Sequence, residues 1–255
     1  RFPAEVVGQN RAGKRPTTEA VRRAEMALGA KGGRASAWPE EYGGPGWSVE
    51  EQYVFDEELE RAGVPTVTPM GVVYVGPVLY TFASEDQKAK WLPGIRDGSV
   101  GWAQGYSEPN AGSDLAALMT KCEDKGDHYL INGQKIWTSY ADQADWIFAL
   151  VRTDFAAKKH EGISFILVDM DQAGVTTKPI KLISGNSPFC ETFFDDARAE
   201  KKNTVGELNK GWPIAEYLLT HEREMIGGPG AGSGPMRPMG DVAIHPAGLN
   251  EPGQQ

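Results

Sequence analysis

The chain has 255 residues, a formal net charge of −9 from 26 basic and 35 acidic side chains, and two cysteines. That length can bury a full core without staples, and Cys122 and Cys190, far apart with no CxxC pair, support neither a disulfide framework nor a zinc site. The basic residues form no dense cluster, which excludes a nucleic-acid footprint, and no apolar run approaches the ~18 to 20 residues of a membrane span.

These features fit a soluble protein of a bacterial cytoplasm, or of the mitochondrial matrix in a eukaryote. The sequence opens on Arg1 rather than Met, so a leader or further N-terminal segment stays open. Residues 1–100 read as a helical domain. From residue 17 to about 97, charged and apolar residues alternate at spacings of three and four, and the caps are legible. Ser48-Val-Glu-Glu51 is a capping box, with Val49, Tyr53 and Leu59 on one face and Gly63 and Pro65 at the stop. Ser84-Glu-Asp-Gln87 repeats the box ahead of Ala89, Trp91 and Leu92, and Pro93-Gly94 is expected to end that helix.

Across residues 101–211 the period changes to two, which predicts a β domain. Tyr129 to Trp137 contains Asn132-Gly133, the signal for a type I′ hairpin turn between two apolar runs. Further strands are expected at Trp146–Val151, Ile163–Val168, Val175–Ile180 and Glu191–Phe194. Short strands at regular spacing without helices between them favour an antiparallel sandwich or barrel, so the fold class is α+β.

Residues 212–226 start a C-terminal helical segment. Pro213 suits the first helical position, and Ile214, Tyr217, Leu218 and Met225 can line one face. Residues 227–255 then hold eight glycines and five prolines and are expected to be disordered, a linker or of artificial origin. Their GGPGAGSGP run fits no GxGxxG register and follows no strand, so it is not read as a dinucleotide loop.

Two segments carry chemistry. Gly105 to Ala116 reads GYSEPNAGSDLA, a loop whose hydroxyls, backbone N–H groups and glycines can meet an anion or a heteroaromatic edge, or else simply connect helix to sheet through Asx and Ser turns. Lys135-Ile-Trp-Thr-Ser139 offers an indole beside two hydroxyls, which suits a flat, partly polar cofactor; the alternative is a core indole.

With Pro39-Glu-Glu-Tyr-Gly-Gly44, Ile131-Asn-Gly-Gln-Lys-Ile-Trp137, Gly162-Ile-Ser-Phe165 and Val205-Gly-Glu-Leu-Asn-Lys-Gly-Trp212, these segments make the chain resemble an acyl-CoA dehydrogenase over residues ~40 to 226. The resemblance implies FAD held between the β domain and the C-terminal helices, with parts of the site supplied by a neighbouring subunit. Of this chain it implies a flavin-binding set of Gln104, Tyr106, Ser107, Gly112, Ser113, Trp137, Thr138 and Ser139. Ser107 meets the pyrimidine edge, Ser113 the pyrophosphate or the CoA chain, Trp137 the ring and Ser139 the N5 atom. Ser139 stands where the family often has Thr, and Asn110 where it often has Gly.

The implied reaction turns an acyl-CoA into a trans-2-enoyl-CoA, with electron-transfer flavoprotein as the next acceptor. In a branch similar to isovaleryl-CoA dehydrogenase the base lies on the first helix after the β domain, directly before an Arg, and here that is Glu222 before Arg223. Thr220, Arg223 and Ser113 are the implied substrate contacts, and a solvated Glu222–Arg223 pair is the alternative for that site.

The family's remaining C-terminal helices do not follow. This leaves a fragment, a remainder not in the sequence, or a second chain completing the site in a homo- or hetero-oligomer. Two other classes share the fold: flavin oxidases or monooxygenases, which consume oxygen, and a non-catalytic partner subunit without flavin.

Overall fold

The computed structural model describes residues 2–11, 17–183, 185 and 187–227. The expectation for the Gly- and Pro-rich tail covers residues 227–255; Gly227 ends the last described helix, and residues 228–255 lie outside the described residues. Helices come first: α1 (Ala4–Arg11), α2 (Thr18–Gly29), α3 (Val49–Ala62), α4 (Gly76–Phe82) and α5 (Glu85–Asp97). Among the described residues eight strands follow: β1 (Trp102–Gly105), β2 (Lys121–Asp124), β3 (His128–Ser139), β4 (Trp146–Arg152), β5 (Ile163–Asp169), β6 (Val175–Ile180), β7 (Phe189–Glu200) and β8 (Thr204–Val205). Helix α6 (Gly211–Gly227) closes the described chain.

The strands form one mostly antiparallel sheet in the order β6-β7-β3-β2-β4-β5-β8. β1 joins it through β4 in parallel, with Trp102 opposite Trp146 and Gly105 opposite Ala149. β4 and β5 are buried on both faces, and their alternate residues enter two cores. Phe148, Leu150, Phe165 and Leu167 pack with Trp38, Tyr74, Val78, Trp91 and Trp102, and with Ile214 and Leu218 of α6. Ile147, Ala149, Ile166 and Val168 face Ile131, Phe194 and Ala197 instead. The first of these cores therefore docks both the N-terminal helices and α6 on one face of the sheet.

Both capping boxes form as expected, Ser48 with Glu51 and Ser84 with Gln87. Four local expectations need correction. The helix at Ser84 runs on through Pro93 to Asp97 and stops at Gly98, whose φ is +79°. Pro93 and Ala89 both lie on the exposed side, so the carbonyl that loses its partner faces water, while Trp91, Leu92 and Ile95 hold the helix in the core.

On α3 the proposed apolar face is not buried: Val49 is 78 % and Tyr53 48 % exposed. The helix instead sets Phe55 against Trp47, ring centroids 4.8 Å apart. Asn132-Gly133 is not a turn but an irregularity inside the continuous strand β3. The turn into β3 lies at Gly126, whose N–H is held by the Asp124 carboxylate at 2.8 Å. Finally, Pro213 is the third residue of α6, still within its first turn, and Met225 is 40 % exposed.

Candidate functional site

β1 ends at Gly105 and delivers the chain into the loop Tyr106 to Asp114. The loop turns tightly at Glu108-Pro-Asn-Ala111, where Glu108 N–H donates to the Ala111 carbonyl at 2.9 Å and Ala111 N–H returns to Glu108 at 3.0 Å. β3 runs beside it. The Ile136 N–H donates to the Ser107 carbonyl at 2.9 Å, which ties the GYSEPNAGSD loop to the KIWTS strand end.

At that strand end the ladder with β7 is irregular between Lys135 and Thr138, and Trp137 sits at φ +59°. A bulky residue in the left-handed region is strained by about 1–3 kcal/mol, and the result here is an indole pushed outwards. Trp137 is 53 % exposed and touches Phe189 edge-on at 6.1 Å, so it is not a core indole.

Ser139 shares its face of the strand, half-buried, whereas Thr138 points the other way. The Thr138 hydroxyl is fully buried and spent on the Cys190 carbonyl at 2.8 Å and Thr192 at 2.7 Å. Of the two hydroxyls beside the indole, then, only that of Ser139 faces outwards, and Thr138 has no side-chain group to offer a ligand there. Gly112 and Ser113 lie exposed further along the loop, and a Cβ added at Gly112 would meet nothing within 4 Å.

Helix α6 brings Glu222 to the mouth of β1. The Gln104 amide donates to its carboxylate at 3.4 Å, and no ion pair joins Glu222 to Arg223 among the described residues. Burial first, and the Glu222 charge second, push the Tyr74 hydroxyl up to about 12 and hold Tyr106 well above the ordinary tyrosine range. Both therefore stay protonated at neutral pH. The Tyr106 ring is wedged edge-on against Phe148 and Phe165, with its hydroxyl buried and without a hydrogen-bond partner among the described residues. Thr220 and Arg223 are exposed on α6, and the Thr220 hydroxyl turns back to the Tyr217 carbonyl at 2.7 Å.

The structure thus brings Gln104 and Tyr106 beside Glu222 of α6, and Ser107 beside the strand end that carries Trp137 and Ser139, and leaves Gly112, Ser113, Thr220 and Arg223 towards solvent. Two clefts elsewhere, one bordered by Asp142, Asp145 and Asp169 and the other by Arg22, Arg34 and Trp102, include none of these residues.

The N-terminal domain model of acyl-CoA dehydrogenases matches residues 4–99, and the middle domain model matches residues 103–197. The chain belongs to the acyl-CoA dehydrogenase family. It is 46 % identical over 197 residues to acyl-CoA dehydrogenase IpdE1 of Mycobacterium tuberculosis, covering 77 % of this chain and 51 % of that protein. Among solved structures it is similar to the Tcur3481-Tcur3483 steroid ACAD (TM-score 0.75, 40 % identity, 88 % of this chain and 62 % of the other). It is also similar to the ChsE4-ChsE5 complex of Mycobacterium tuberculosis (TM-score 0.75, 36 % identity, 86 % and 55 %). The chain spans about half the length of the curated relatives it matches.

The FAD that this acyl-CoA dehydrogenase frame implies fits the residues present. An outward indole, two hydroxyls with no partner among the described residues (Ser107 and Ser139) and an open glycine loop form a donor set suited to a flat heterocycle with a phosphate tail. Sequence reasoning missed Lys135, Glu108 and Tyr74. Lys135 was legible only as one letter of a motif, because the sequence shows the ammonium but not that its place in the strand faces the core.

Proposed function

We propose that the chain carries the flavin- and substrate-facing half of an acyl-CoA dehydrogenase acting on an acyl-CoA thioester. The observation that carries this reading is the tie between the Ser107 loop and the Trp137 strand end, made by the Ile136 N–H, on the same stretch of chain whose Gln104 meets Glu222 of α6. Trp137 packs on the heterocycle, while Ser107 and Ser139 supply hydrogen bonds at its edge. FAD held there by Trp137, Ser107 and Ser139 would supply the acceptor for the substrate's β-hydride.

Glu222 takes the α-proton. The Gln104 amide holds one of its oxygens and leaves the other free to act, and the protonated Tyr74 and Tyr106 beside it offer no competing base. Apolar packing of α6 keeps this carboxylate at the mouth of β1.

Glu222→Gln keeps size and removes the base. In the flavin-loaded protein mixed anaerobically with an acyl-CoA, bleaching of the flavin should slow by about 10² to 10⁴. Bleaching at the parent rate would make Glu222 a bystander.

A second reading is favoured by one observation: the similar ChsE4-ChsE5 structure is a complex of two differently named chains. The site here would then be completed by an unlike subunit, and co-purification with that subunit, rather than added FAD alone, would restore reduction by acyl-CoA.

A further inference from the structure

Lys135 is among the largest of the fully buried side chains of the described residues, yet none of the proposed chemistry uses it. Its ammonium donates to the Tyr106 carbonyl at 3.1 Å and to Glu108 Oε1 at 2.8 Å. The Glu108 carboxylate in turn accepts the backbone N–H groups of Met119 at 2.7 Å and Thr120 at 2.9 Å, where the loop re-enters the sheet. The next residue, Ile136, holds the Ser107 carbonyl, and the one after that is the strained Trp137. Three consecutive loop residues, Tyr106, Ser107 and Glu108, are therefore anchored by two consecutive strand residues. Behind them Arg152 donates to the carbonyls of Ala116 and Leu118.

We propose that Lys135 is a positioning residue: through Glu108 and the Tyr106 carbonyl it clamps the Ser107 loop at a fixed distance from Trp137 and Ser139, so that both edges of the flavin surface are set before the cofactor arrives. The inference rests on the flavin reading above. A buried ion pair is a poor source of stability, because removing two charges from water offsets most of their attraction, so specification of geometry is what remains for it to contribute. A loop already ordered loses less freedom on binding, and affinity gains accordingly.

The charged groups facing Lys135 are Glu108 and Arg152. Burial, outweighing the attraction of Glu108, brings the ammonium down to about 8, while Glu108 stays below the ordinary carboxylate range. Its own burial works against that, and Lys135 and the backbone donors outweigh it. Both are charged at pH 7, and the clamp loosens as pH rises through the lysine value.

The test is FAD titration, by flavin fluorescence, of the full chain and of the near-isosteric neutral double variant Lys135→Met/Glu108→Gln, together with amide exchange. The double variant should fold with a thermal midpoint near that of the parent, bind FAD roughly tenfold more weakly, and exchange faster at residues 106–113 but not in β4 or β5. FAD affinity of the parent should fall as pH rises through about 8, and that step should be missing from the variant. A folded variant with parental affinity, loop exchange and pH profile overturns the proposal. Should the parent itself show no FAD affinity, the flavin reading and this role fall together, and exchange at 106–113 then shows separately whether the clamp exists.

Discussion

Trp137 holds a conformation that most residues avoid and places an indole where water can reach it. Its ring–ring contact among the described residues is the edge contact with Phe189, and more than half of its surface is open, so the protein's own packing gives the ring little to do. Trp137→Gly should therefore leave the thermal midpoint unchanged or raise it, since glycine relieves about 1 kcal/mol of backbone strain at such a site. A clear fall in the midpoint would give the indole a structural role instead.

Glu108 couples the loop to pH. Its folded-state carboxyl sits below its unfolded value, so its contribution is present above the ordinary carboxylate range and is lost as pH falls through the lowered folded value. Lys135, also lowered, works with the opposite sign: its burial opposes folding below about pH 8, and that opposition lifts above it. Urea unfolding of Glu108→Gln should accordingly show a shallower acid loss of stability than the parent. An equally steep loss would place the acid-sensitive group elsewhere.

Between elements, the clearest lesson lies in Asn132-Gly133. The sequence signal for positive φ was real, because Gly133 sits at φ +151°, but the conformation serves a bulge where the strand passes close to Thr120. Asn132 exchanges hydrogen bonds of 2.9 Å with Asp196 across to β7, itself at φ +52°. An Asn-Gly pair reads alike in a turn and in a paired bulge, and only the partner strand decides between them. Gly133→Ala would bring a Cβ to 2.7 Å from the Thr120 hydroxyl oxygen and should cost about 1–3 kcal/mol in chemical denaturation; no loss would mean that the bulge can relax.

The other elements divide on the same principle. The capping boxes and most strand cores were legible because the signal is local. Passage of α5 through Pro93, exposure of Val49 and Tyr53 on α3, and the parallel seat of β1 depend on neighbours far along the chain. In the site, the GYSEPNAGSD and KIWTS segments stand out by composition, while the buried Lys135–Glu108 pair that joins them becomes visible only once β3 and the loop lie side by side.

In the whole molecule, one apolar core unites the N-terminal helices, a face of the sheet and α6, and so sets where Glu222 stands relative to Gln104 and Tyr106 of the site. Leu218 is fully buried in that core. Leu218→Ala should cost about 2–5 kcal/mol by urea unfolding and slow flavin reduction together with it, because the helix bearing Glu222 is loosened; reduction unaffected by that loss would separate helix packing from the chemistry.

FAD bound against the Trp137 face, as proposed, should be seen on titrating FAD into the purified chain and into Trp137→Ala: saturable binding by the parent, and an affinity lower by about fivefold or more in the variant, the equivalent of about 1 kcal/mol of aromatic packing. Equal affinity in the two proteins, or no binding by the parent, would contradict it.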